Sequence, residues 1–198
     1  MKTNEDGRSM IEMLGVLAII GVLSVGGFSL VNKMHNSYEA NQVIETAGEL
    51  ASRARTMARE YEEDENSKKA SMNSYLCKAK AVPDIFLSEE FDDCANMVGA
   101  NGITYNVEYI GDKVKYAVQI EGATEEMCVQ IVTTNWGTPG SSGFMGLSVG
   151  TDVKAVNTGT ASDTVALIGN KDHPAPMGIG AAASACSEDG LTINLSFR

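Results

Sequence analysis

Glu12 is a carboxylate set among Met10, Ile11, Met13 and Leu14. At the edge of lipid or inside a helix bundle such a group is costly unless a cation pairs with it. Arg8, four residues earlier on the same helix, is one partner within reach; a cation on another molecule is the other. The remaining reactive groups are sparse. Cys77, Cys94, Cys128 and Cys186 form no C-x-x-C pair and have no histidine at zinc-ligand spacing, so metal binding is disfavoured. With neither a nearby histidine nor a basic setting they are also poor nucleophiles. The two histidines are His35, on a helix surface after the apolar run, and His173. The latter lies in Lys171-Asp172-His173-Pro174, where turn chemistry accounts for Asp172 better than a catalytic pair does. Asp152 and Asp163 lie in a Gly/Thr-rich region without the compact oxygen pattern of a calcium loop. There is no phosphate-binding loop and no G-x-S-x-G elbow. The residues call for no catalytic group, metal or cofactor, and an enzyme is not expected.

The element that must carry Glu12 is unusual. From Met13 to Val31 there are 19 residues without a charge. At ~1.5 Å per helical residue the run matches the hydrocarbon core of a bilayer. A cleavable secretory signal would need a basic leader, a shorter apolar core and an A-x-A-like site. Here the leader carries Glu5 and Asp6, and the run is too long. An ordinary single-pass anchor accounts for the length but leaves Glu12 unexplained.

Gly7, Arg8, Glu12 and the apolar helix in this register resemble the N-terminus of type IV pilins and pseudopilins. The motif covers 25 of the 198 residues, 7–31. In that family a prepilin peptidase cuts after the glycine and methylates the new N-terminus. The resemblance therefore implies cleavage after Gly7, with Arg8 first in the mature chain, where the family prefers Phe or Met. It puts Glu12 at the fifth mature position, facing the freed α-amino group of a neighbouring subunit. That pair would set the axial register between subunits. The resemblance divides the chain into a leader (1–7), a transmembrane and assembly half-helix (8–31) and a globular domain (32–198). It implies a single-pass inner-membrane precursor that joins a homopolymeric extracellular fibre with the help of the assembly machinery. A secretion-system pseudopilin or minor pilin is the alternative within the family. A monomeric membrane-anchored binding module is the alternative outside it.

Composition fits one folded domain plus an anchor: 43 % of residues are hydrophobic, which excludes disorder throughout. Net charge is −11. Without Lys2, Glu5 and Asp6 the 15 basic and 26 acidic residues become 14 and 24, a charge of −10. So acidic a chain repels phosphate, and dedicated nucleic-acid binding is not expected. Lysine and arginine are too evenly spread about the apolar run to set its orientation. Outside the cytoplasm the four cysteines read as two disulfides, and four cysteines allow three pairings. Cys77–Cys94 with Cys128–Cys186 is the favoured set: the first pins a loop and the second staples the last third of the chain to the core.

No proline precedes Pro83, so the apolar run continues as one helix, expected from about residue 9 to 63. Val43, Ala47, Leu50, Ala51, Ala54, Met57, Ala58 and Tyr61 recur at three- and four-residue steps. They form a stripe facing a core, with Glu45, Glu49, Arg53 and Arg59 on other faces. Gly21, Gly26 and Gly27 weaken the first half by roughly 1 kcal/mol each; two explanations stand side by side, close helix–helix contact and, as the resemblance implies, local extension of the helix as subunits pack into a fibre. Short helices are expected near 71–80 and 88–97. A hairpin follows, with Gly111-Asp112 as a two-residue turn placing Glu108 opposite Lys115, Val107 opposite Tyr116 and Tyr105 opposite Val118. Thr124 caps a helix through about Val132. Residues 137–185 read as loop-rich, with short strands at 147–149, 153–156 and 164–168. Leu191, Ile193, Leu195 and Phe197 alternate with polar residues as a half-buried strand, central in its sheet. The fold class is α+β: a long N-terminal helix, apolar then amphipathic, on an antiparallel sheet with disulfides.

Overall fold

The computed structural model describes residues 6–60, 72–86, 97–99, 101–110, 115–137, 142–150, 176–188 and 190–198, without the side chains of 6–9, 25–30, 32, 59 and 60. Two compact units emerge, Met1–Tyr38 and Glu39–Arg198. Helix α1 (Asp6–Glu60) contributes to both. It is already helical at Asp6, the first described residue, about three residues before the expected start.

The second unit is α+β, as the sequence pattern requires. Its elements after α1 are α2 (Met72–Lys78), a 3-10 turn (Asp84–Phe86), β1 (Met97–Val98), β2 (Thr104–Tyr109), β3 (Tyr116–Ala123), α3 (Glu125–Thr133), β4 (Phe144–Gly150), α4 (Ile179–Ala185) and β5 (Leu191–Phe197). The strands form one antiparallel sheet in the order β1-β2-β3-β5-β4. Ala40, Val43, Ala47, Leu50, Ala51, Ala54 and Ala58 of α1 are buried in the core. Met57 packs against it from a partly buried position, and Tyr61 lies outside the described residues. Most of this stripe is alanine, so the helix backbone comes within reach of the sheet's side chains. The Tyr116 hydroxyl donates to the Ala51 carbonyl at 2.7 Å and the Tyr109 hydroxyl to the Ala58 carbonyl at 3.2 Å. Ala51 and Ala58 are two helical turns apart, so the two phenols fix both the height and the rotation of this part of α1. Glu49 and Arg53 pair on an outer face, Nε to Oε1 at 3.0 Å.

The hairpin keeps its expected faces but not its register. Val107 pairs with Val118, Tyr105 with Ile120 and Tyr109 with Tyr116, two residues away from the pairing that a Gly111-Asp112 turn would impose. The Ile110 amide donates to the Lys115 carbonyl at 2.9 Å, so the connection occupies 111–114, outside the described residues. A shift of two leaves every side chain on its own face, so the apolar alternation alone does not exclude it. The observed register places Tyr109 and Tyr116 opposite each other, where both reach α1.

Strand β5 lies between β3 and β4, an interior position as expected. It is not half-buried: all seven residues are buried, including Thr192, Asn194 and Ser196. Ladders on both edges and cover on both faces account for this. Its Phe197 ring stacks on Tyr116 with centroids 5.6 Å apart and meets Phe144 edge-on at 5.5 Å. At the other end of the sheet β1 is only two residues long, and Asn73 of α2 takes over where it stops. The Val107 amide donates to Asn73 Oδ1 at 2.6 Å, and Asn73 Nδ2 donates to Asn106 Oδ1 at 2.9 Å.

Helix α3 follows its expected cap: the Met127 amide donates to the Thr124 hydroxyl at 3.4 Å, with Glu125 and Glu126 in the first turn. Helix α4 was not expected in the Gly/Ala-rich stretch. The Cys128–Cys186 disulfide, with Cα atoms 5.7 Å apart, ties its end to α3. Cys77 is also disulfide-bonded; Cys94, the partner expected for it, lies outside the described residues, as do the strands expected at 153–156 and 164–168. So does most of the helix expected over 88–97, although Met97 itself is a strand residue paired with Tyr105.

Candidate functional site

The first unit consists of the N-terminal part of α1. Gly7 and Arg8 lie in the first turn of the helix, and Glu12 in the turn after it. Glu12 is exposed, and among the described residues it has no partner. The ten large apolar side chains from Met10 to Leu23 are all exposed, from 52 % at Ile20 to 76 % at Val22. Successive residues point about 100° apart, so a run with no buried member is apolar around the whole helix. A helix of that kind belongs in a core or a membrane, not in water.

Two details fit burial by something other than this chain. A Cβ placed on Gly15 or Gly21 would meet nothing within 4 Å, so neither glycine is required by packing within the molecule. The Ser24 hydroxyl donates to the Ile20 carbonyl at 2.7 Å, which satisfies the polar group within its own helix. Val31, Met34 and Tyr38 are exposed as well. At three- and four-residue steps they form an exposed stripe that runs past Lys33 and His35, so the exposed apolar face extends to Tyr38, beyond the expected end of the run at Val31. Among the described residues no helix is long and apolar enough to cross a membrane. The run expected to do so, Met13–Val31, includes residues 25–30, whose side chains lie outside the described residues.

The expected cysteine sites lie in the second unit. Cys128 and Cys186 are brought together and fully buried. His173, Asp172, Asp152 and Asp163 fall outside the described residues. Among the described residues, no group of three histidine, cysteine or acidic side chains stands close enough to hold a metal ion.

No protein-family model matches the chain, and no curated protein sequence matches it. Solved structures do. One of them is TcpA, a type IV pilin from Vibrio cholerae El Tor biotype. It is 11 % identical, with a TM-score of 0.45, over 79 % of this chain and 99 % of that one. At that identity and score the likeness carries no functional argument, which rests instead on the chain's own residues.

Proposed function

We propose that the chain is the structural subunit of a type IV pilus-like fibre. Its N-terminal helix is held in the inner membrane as a single-pass precursor, and cleavage after Gly7 by a prepilin peptidase releases it for assembly. The assembly machinery then packs it against sister helices in the fibre core, leaving the second unit on the fibre surface. The observation that carries this reading is the exposed apolar sleeve from Met10 to Leu23, with no large apolar side chain in it buried. Full burial of such a side chain is favourable by about 1.5–3 kcal/mol, so leaving ten of them between 52 % and 76 % exposed forfeits on the order of 10–20 kcal/mol. That equals or exceeds the whole stability of a typical domain, about 5–15 kcal/mol. The sleeve must therefore be covered, first by lipid and then by copies of itself.

Glu12 favours the fibre over a permanent anchor. In lipid its carboxylate is a cost with no return. Between sister helices it meets the α-amino group that cleavage exposes on Arg8, and the pair sets the stagger of neighbouring copies. The open space at Gly15 and Gly21 suits close helix–helix contact.

The test has two parts. Mass spectrometry of the protein from its own cells is expected to show an N-terminus at Arg8; an intact Met1 would favour the plain anchor. Glu12→Gln is expected to stay membrane-bound while fibre yield falls at least tenfold. Normal fibres from that variant would remove the pairing role. A long, abundant fibre would separate the major subunit from a pseudopilin or minor pilin.

A further inference from the structure

Within the second unit, α1 and the sheet leave a cleft of about 270 Å³. Its lining includes Gly48, Ala51 and Arg55 of α1, with Tyr116, Trp136 and Phe197 opposite. Most of the polar groups in that lining are already used. The Trp136 indole N–H donates to the Ile131 carbonyl at 2.9 Å, and the Tyr116 hydroxyl to the Ala51 carbonyl at 2.7 Å. Arg55 is different. Its guanidinium is partly buried, makes one long hydrogen bond, Nη1 to the Ser142 carbonyl at 3.4 Å, and has no carboxylate partner among the described residues. A guanidinium has five donors in a planar fork that matches a carboxylate two-to-one. The cleft thus offers aromatic walls with no spare donors and one cation with several.

A second observation concerns Gly48. Glycine inside a helix destabilises it relative to alanine. A Cβ here would meet only Trp136 Cζ3, at 3.9 Å, an ordinary contact that the fold tolerates. The fold does not need the glycine; the space beside the Trp136 ring does.

We propose that this cleft binds a small carboxylate carried on an apolar, ring-sized body, with the carboxylate on Arg55 and the ring against Trp136 and Phe197. The local charge supports that class: Arg55 has no carboxylate partner among the described residues, and it attracts an anion at short range against the −11 net charge of the chain as a whole. The volume, just below the usual range for ligand pockets, admits only a small molecule, of roughly ten non-hydrogen atoms.

Trp136 is the only tryptophan in the chain and lies in the wall, so it reports occupancy directly. The full chain in phosphatidylcholine vesicles is titrated with phenylacetate and, separately, with the neutral phenylacetamide, following tryptophan emission. Phenylacetate is expected to saturate with a Kd on the order of 0.1–1 mM, and the amide to bind at least tenfold more weakly. Arg55→Gln is expected to lose phenylacetate binding tenfold or more, Arg55→Lys to retain part of it, and Gly48→Ala to weaken it severalfold without loss of fold. Equal binding of acid and amide by the unaltered protein would overturn the proposal, and that comparison needs no variant to fold. So would the absence of saturation up to 20 mM. A response that appears only when the protein is diluted below self-association would assign the cleft to an acidic side chain of a second copy, and would overturn it too.

Discussion

Removing the Cys128–Cys186 bridge with paired alanines should destabilise the second unit by about 4 kcal/mol and release α4 before anything else. The bridge joins residues 58 apart. In the chain-entropy model a loop of that length restricts the unfolded chain by about 14 cal/mol/K, or about 4 kcal/mol at 25 °C. Both sulfurs are fully buried, so the cavity left by alanine adds in the same direction. The local consequence follows from how little else holds α4. It has seven residues, far fewer than the ~12–15 an isolated helix needs. Its N-cap, Gly178, supplies no side-chain bond, and only Ala182 within it is buried. Beyond the disulfide, the Met177 amide donates to the Val132 carbonyl at 3.2 Å. Urea unfolding of the full chain measures the first effect, and amide hydrogen exchange of 182 and 186 the second, with the β3 and β5 amides as internal reference. A loss below about 1 kcal/mol, or α4 amides that stay as protected as those of β5, would refute the reasoning. Chemical reduction is the poorer experiment because it also opens the bond at Cys77.

Asn73→Ala strips the Val107 amide of its acceptor at the open edge of β2, and should cost about 1–3 kcal/mol by thermal or urea unfolding. Gly143→Ala should be worse than an ordinary surface change. Gly143 has φ +76°, and a Cβ there would run into the Arg198 carbonyl, so a loss above about 2 kcal/mol is expected, with fraying of the bond from the Arg198 amide to the Gly143 carbonyl. Burial pushes the Tyr105 phenol up to about 12, against a smaller lowering from its hydrogen bond with Thr46, and burial likewise raises Tyr116. A raised phenol favours the protonated fold. Its contribution is therefore fully present below pH 10 and lost between pH 10 and 12. Phenolate absorbance should show these two among the last of the six tyrosines to ionise, together with unfolding; early ionisation of all six in a still-folded protein would contradict it.

What the sequence disclosed tracks how local each signal is. The α1 stripe from Val43 to Ala58, the Thr124 cap and the positions of strands β2, β3 and β5 are set by neighbours within a few residues, and they appear where expected. The hairpin register is not local in that sense. The alternation permits slips of two, and the deciding contacts are Tyr109 and Tyr116 on helix carbonyls more than fifty residues earlier. Helix α4 was hidden for a similar reason: its Gly/Ala-rich sequence has no stripe to read, and a distant disulfide holds it. The full burial of β5 depends on what covers its second face. At the candidate site, Glu12 and the apolar run around it were legible because charge and its absence are visible residue by residue; of that run the described exposed sleeve covers Met10 to Leu23. The extension of the exposed face from Val31 to Met34 and Tyr38 was not legible, because Lys33 and His35 interrupt the run without interrupting the face. Arg55 carried no signal in sequence; only the fold sets it beside Trp136.

The most direct measurement is cryo-electron microscopy of fibres sheared from the surface of cells making this protein, with the fibre subunit identified by peptide mass. Residues 10–23 of neighbouring copies should pack against one another along the fibre axis, with Glu12 of one copy beside the Arg8 amino terminus of the next. Processed protein that stays solitary in the membrane, or a fibre whose axis is built from the second unit with the sleeve outside, would contradict the account.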